Sequence, residues 1–76
     1  MPNEVSRHVI DLVNALLAEG CDMWSVGRGY CIGEPTQEPM ATNVKAILKK
    51  FGPRDHLMEE ISAYLRRIGR AIAQPI

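Results

Sequence analysis

The chain has 76 residues, 46% hydrophobic and 24% charged, and its nine basic and nine acidic side chains cancel. That length holds one domain with a small core, the composition is globular and not disordered, and zero net charge argues against strong nonspecific attraction to nucleic acid or anionic lipid. No apolar run approaches the roughly 20 residues needed to cross a bilayer, and the first seven residues lack the basic-then-apolar order of a secretory signal.

Two cysteines, Cys21 and Cys31, in a chain without such a signal point to a reducing cytoplasm and free thiols. The neutral total hides an asymmetry. Residues 1–42 carry two basic and six acidic side chains, whereas residues 43–76 carry seven basic and three acidic.

The first predicted element is a helix over about residues 4–19. Asn3 is placed to cap its start and Gly20 to end it in a left-handed conformation. Val5, Val9, Leu12, Val13 and Leu16 form its apolar stripe. Ile10 and Leu17 widen that stripe to about 160° of the wheel, beyond the roughly 100° of an ordinary surface helix. Such a helix either lies between two others or buries its second edge in a subunit interface.

A hairpin is predicted over about residues 23–32. The β-forming runs Met23–Val26 and Tyr30–Ile32 flank Gly27-Arg28-Gly29. Read as a three-residue loop with Gly29 left-handed, the turn sets Val26 opposite Tyr30 and Trp24 opposite Ile32, with Trp24 facing the core. A hairpin of this length is unstable alone and must lie on the helices.

Two prolines in Glu34-Pro35-Thr36-Gln37-Glu38-Pro39 break the pattern. A second helix follows over about 39–51, with Met40, Val44, Ile47, Leu48 and Phe51 on one face and Gly52-Pro53 as its stop. A third helix, capped by Asp55, is predicted over about 55–73, with its apolar stripe running from Leu57 to Ile72. The short connection between them predicts a helical hairpin. The fold class expected is mainly α (small α+β): helix, short β-hairpin, helix, helix around a single core, as one domain over 1–76. That core should comprise Val9, Leu12, Val13, Leu16, Trp24, Val44, Ile47, Phe51, Ile61, Leu65 and Ile68.

Chemistry-bearing patterns are sparse. The glycines at 27, 29 and 33 miss the G-x-G-x-x-G spacing, and no helix opens directly after them. Cys21, Cys31, His8 and His56 lack zinc-ligand spacing, and no nucleophile motif accompanies either thiol. Glu59 and Glu60 are adjacent on a helix and so point about 100° apart, a poor acid–base pair. No catalytic residue, cofactor or metal is expected, and no enzyme.

The leading expectation is a non-catalytic protein–protein interaction or adaptor module acting as a homodimer. Ile10 and Leu17 are its candidate interface, with Trp24, Arg28 and Tyr30 as further contacts, since aromatics and arginine commonly anchor such surfaces. The alternative is a small nucleic-acid-binding regulator. It would use Lys45, Lys49, Lys50, Arg66, Arg67 and Arg70 if the ends of the second and third helices converge.

Overall fold

The computed structural model describes residues 5–72. Its elements are α1 (Arg7–Ala18), β1 (Asp22–Val26), β2 (Gly29–Gly33), α2 (Met40–Phe51) and α3 (Leu57–Arg67). The helix, hairpin, helix, helix order is the expected one. The cap expected at Asn3 and the residues from 73 onward lie outside the described part.

α1 starts at Ser6, whose Oγ accepts from His8 N at 3.2 Å. The Ser6 N–H donates to Glu60 Oε1 at 2.9 Å. In a capping box that second bond comes from a glutamate three residues into the same helix. Here that position is Val9, part of the core, and α3 supplies the carboxylate. Arg54 Nε donates to the other Glu60 oxygen at 3.1 Å. The Ser6 main-chain bond, and then Arg54, hold the Glu60 carboxyl below its ordinary range.

α1 and α3 end in the same way. Gly20 (φ 97°) donates to Leu17 O and Cys21 N to Leu16 O, while Gly69 (φ 83°) donates to Arg66 O and Arg70 N to Leu65 O. This pair of bonds is the Schellman motif. Gly69 explains why α3 stops six residues before the expected end at Ala73. Ile68 and Ile72 sustain the apolar period past the glycine, but a left-handed residue turns the chain regardless. Residues 70–72 then run beside β1: Ser25 N donates to Arg70 O at 2.8 Å and Ile72 N to Ser25 O at 2.9 Å. The bridge between Ser25 and Ala71 is parallel. At the other end of α3, His56 is left-handed (φ 59°) with no side-chain cap bond, so the helix begins at Leu57 and Asp55 is not its cap.

The hairpin sits where expected but in a different register. Val26 faces Gly29, Ser25 faces Tyr30, Trp24 faces Cys31 and Met23 faces Ile32. Of the two loop residues Gly27 and Arg28, Gly27 alone has positive φ, 60°, as in a type II′ turn with glycine at its first central position. Gly27, not Gly29, supplies the left-handed residue, so the loop is two residues long. Every partner shifts by one, and the side chains change face. Met23 and Ser25 therefore go inside, fully or almost fully buried, and Trp24 stays half-buried outside.

α2 and α3 do not pair chiefly with one another. α1 lies between them, contacting both, while α3 also covers both strands. This explains the wide apolar arc of α1 without a second subunit. The core is Val9, Leu12, Val13 and Leu16 of α1, Cys21, Met23, Val44, and Ile61, Tyr64 and Leu65 of α3. Trp24 and Ile68 are not in it, Ile68 being 40% exposed, and Ile47 and Phe51 pack against its margin. Tyr64 Oη donates to Asn14 Oδ1 at 3.0 Å, tying α3 to α1, and Asn43 Nδ2 donates to Glu19 Oε1 at 3.1 Å, tying α2 to α1.

Candidate functional site: the hairpin and its arginine clamp

α3 approaches the hairpin through small polar side chains. The hydroxyls of Ser25 and Ser62 lie 2.7 Å apart and are buried. Ser62 Oγ also lies 3.4 Å from Gly27 O. A larger side chain at either position would push the helix off the sheet.

Two arginines extend this contact to the surface. Arg66 Nη1 donates to Gly27 O at 2.9 Å and to Ser62 Oγ at 3.1 Å. Arg70 Nε donates to Met23 O at 3.1 Å, and its guanidinium lies 4.6 Å from the centroid of the Trp24 ring. Trp24 Nε1 donates to Asp22 Oδ1 at 2.8 Å, and that same oxygen is 3.5 Å from Arg70 Nη2. Asp22, Trp24 and Arg70 thus form one surface cluster in which the cation sits on the ring face it is attracted to.

Of the candidate contact residues, Trp24 lies in this cluster and Arg28 is exposed at the hairpin tip beside Glu59 and Arg66. Tyr30 is half-buried on the opposite face from Trp24, since it pairs with Ser25. The structure therefore does not gather the two aromatics on one face. Ile10 and Leu17 are half-buried and pack against the core cluster. Among the described residues the large apolar side chains most open to solvent are instead Met58 (57%), Ile72 (47%), Ile68 (40%) and Leu48 (39%).

Of the six candidate nucleic-acid contacts, Arg66 and Arg70 are occupied with the hairpin. Lys45, Lys49, Lys50 and Arg67 are exposed, the lysines on α2 and Arg67 at the end of α3, with α1 between those helices.

Burial pushes the Cys21 thiol up, with Glu34 and Glu19 adding to the effect, which disfavours a thiolate nucleophile there. Cys31 is exposed on the outer face, and neither cysteine is paired. Among the described residues no group of three or more His, Cys, Asp or Glu side chains is arranged to hold a metal ion. A shallow groove between α1 and α2, about 370 Å³, is lined by His8, Asp11, Ala15, Ile47, Lys50 and Phe51. His8 and Phe51 rings lie 4.9 Å apart across it. No helix among the described residues is long and apolar enough to cross a membrane.

Sequence reasoning missed Asp22, Ser25 and Ser62. The usable signal was Gly27 as the first residue of a Gly-X loop, which fixes a register with Ser25 inside. A buried serine on a strand then calls for a hydroxyl or carbonyl partner on whatever covers it.

The described residues form a small, mainly helical domain with a β-hairpin between its first and second helices. The chain belongs to the Y4lK family, whose model matches residues 7–73. It is 38% identical over 66 residues to the uncharacterized protein y4lK of Sinorhizobium fredii (strain NBRC 101917 / NGR234). The match covers 79% of this chain and 50% of that protein, so the chain spans about half the length of its relative. No solved structure gives a significant match.

Proposed function

We propose that this chain is a non-catalytic protein–protein interaction module that works as a homodimer. The observation that carries the reading is the imbalance between core and surface. The molecule is 17 Å across its thinnest direction, while Leu48, Met58, Ile68 and Ile72 each leave 39–57% of their surface in water. Domains this small commonly gain stability by associating. Arg28 at the hairpin tip and the exposed parts of Trp24 and Tyr30, on opposite faces of the hairpin, are further contacts, and the uncovered edges of Ile10 and Leu17 enter only secondarily because both residues already serve the α1 packing. Two unpaired thiols suit a reducing cytoplasm.

Light scattering on the reduced protein, at low and moderate salt over a range of concentrations, tests the reading. A mass of twice the monomer supports it. A folded monomer throughout the range overturns it.

A further inference from the structure

The two outer edges of the small sheet are treated differently. The outer edge of β1 is filled by residues 70–72, through both main-chain groups of Ser25. Because those groups point away from β2, Ser25 and Tyr30 are a non-hydrogen-bonded pair of the antiparallel ladder, and by alternation so are Met23 and Ile32. The N–H and C=O of Tyr30 and Ile32 therefore point outward, along the other edge of β2. Among the described residues nothing is paired with that edge. Nor does β2 carry the usual guards of an open edge: Gly29-Tyr30-Cys31-Ile32-Gly33 has no charge and no proline.

The sequence about this edge is self-complementary. An antiparallel copy can engage both outward residues of each strand in one register alone, with Tyr30 against Ile32 of the second copy and the two-fold axis through Cys31. That register sets Gly29 against Gly33 and Arg28 against Glu34, so opposite charges meet at both ends. Arg28 and Glu34 are exposed, and among the described residues neither takes part in an ion pair. Shifting the register by two residues in either direction loses both charge matches and leaves half of the outward groups unpaired.

From this we propose that two copies of the chain join edge to edge through β2, making one continuous four-stranded antiparallel sheet. The proposal rests on the homodimer reading and specifies its interface. Helix geometry permits it. The axis is perpendicular to the sheet, so both copies of α3 lie on the same face. With strands about 4.8 Å apart, helices centred over each hairpin would stand about 10 Å from one another, a normal packing distance. Met58, 57% exposed and lying beside Gly29, stands at the rim of this junction.

The register also makes a chemical signature. Cys31 would face Cys31 of the second copy as a non-hydrogen-bonded pair, where Cα atoms are about 4.5 Å apart. That spacing lies inside the disulfide range of roughly 4.4–6.8 Å. Cys31 is exposed and free.

The test uses the full chain carrying Cys21→Ser, so that Cys31 is the one thiol. Oxidised glutathione is the electron acceptor: two Cys31 thiols give one disulfide and two reduced glutathiones. Rapid, near-complete cross-linked dimer is expected at protein concentrations where light scattering shows association. Reversing the end charge with Arg28→Glu sets like charges against each other twice and should weaken association about tenfold or more. Arg28→Glu combined with Glu34→Arg should restore it to within about threefold, a rescue that a merely destabilised fold would not give. A monomer under all conditions overturns this proposal and the homodimer reading together. A dimer that fails to cross-link at Cys31 and ignores the charge reversal overturns the β2 edge alone and leaves the homodimer reading standing.

Discussion

Replacing Ser62 with alanine should cost more than replacing Ser25, although the two hydroxyls share one hydrogen bond. The difference lies in what each leaves behind. Among the described residues Ser25 Oγ meets no polar partner except Ser62, and Ser25 is only 2% exposed. Ser62→Ala therefore strands a buried hydroxyl, at a cost of about 2 kcal/mol within the usual 1–3. In Ser25→Ala the Ser62 hydroxyl keeps Gly27 O at 3.4 Å and Arg66 Nη1 at 3.1 Å, so only the net value of one hydrogen bond is lost, about 1 kcal/mol. The double variant faces methyl to methyl with no hydroxyl to satisfy. It should lose about 1 kcal/mol, well short of the sum of the single losses, because removing both partners can be nearly neutral. For a domain of this size each kcal/mol moves the melting temperature by roughly 4–8 °C, so Ser62→Ala should melt roughly 8–16 °C lower. Thermal and urea melts followed by circular dichroism, at one fixed protein concentration, measure all three variants. Additive losses, or a larger loss from Ser25→Ala, would refute the reasoning.

Three further outcomes follow from the same geometry. Glu60→Ala should destabilise by about 1–2 kcal/mol, because it leaves the Ser6 N–H and Arg54 without their carboxylate. Its carboxyl is held low in the folded state, so its contribution is fully present above the ordinary glutamate value of about 4.3 and fades as pH falls through the lower folded value. A stability–pH series should show this acid-side loss in the parent and a shallower one in the variant; equal slopes would count against the bond. Gly69→Ala meets open space, yet its φ of 83° is strained for any side chain, so it should lose about 1 kcal/mol by chemical denaturation. An unchanged midpoint would mean the α3 terminus tolerates another conformation. Lastly, a thiol-reactive dye should label Cys31 rapidly in the native protein and Cys21 only on denaturation, as burial and the raised thiol pKa of Cys21 require. Fast labelling of both, read by mass spectrometry, would contradict the packing around Cys21.

The helices were legible because their apolar spacing repeats over several turns, and Gly20 marked the end of α1 plainly. Sequence reasoning assigns the left-handed position to Gly29, and Gly27 takes it instead. That one choice set the register, moved Trp24 out of the core and brought Met23 and Ser25 in. The end of α3 was misread for the opposite reason: Ile68 and Ile72 continue the period beyond Gly69, so pattern outvoted punctuation. The cap on Ser6 was beyond reach, since its second half comes from Glu60, far along the chain. Of the candidate contacts, Arg28 could be assigned to the exposed tip of a hairpin, whereas Trp24 was also expected in the core. That Arg66 and Arg70 clamp that hairpin depends on how α3 crosses it, which no local signal encodes.

The segment that follows Gly69 has a consequence for how the protein is made. β1 leaves the ribosome early, but the main-chain groups of Ser25 wait for Arg70 and Ile72, and its hydroxyl waits for Ser62. Until then the nascent hairpin has two open edges and one bare face, and a lone hairpin of this length does not hold together in water. Because one glycine couples α3 to the segment that follows it, the covering helix and the edge partner arrive together. Folding of the hairpin is thus deferred until residues 70–72 have been made, and a chain that stalls before residue 70 is left with a strand ready to pair with a neighbour.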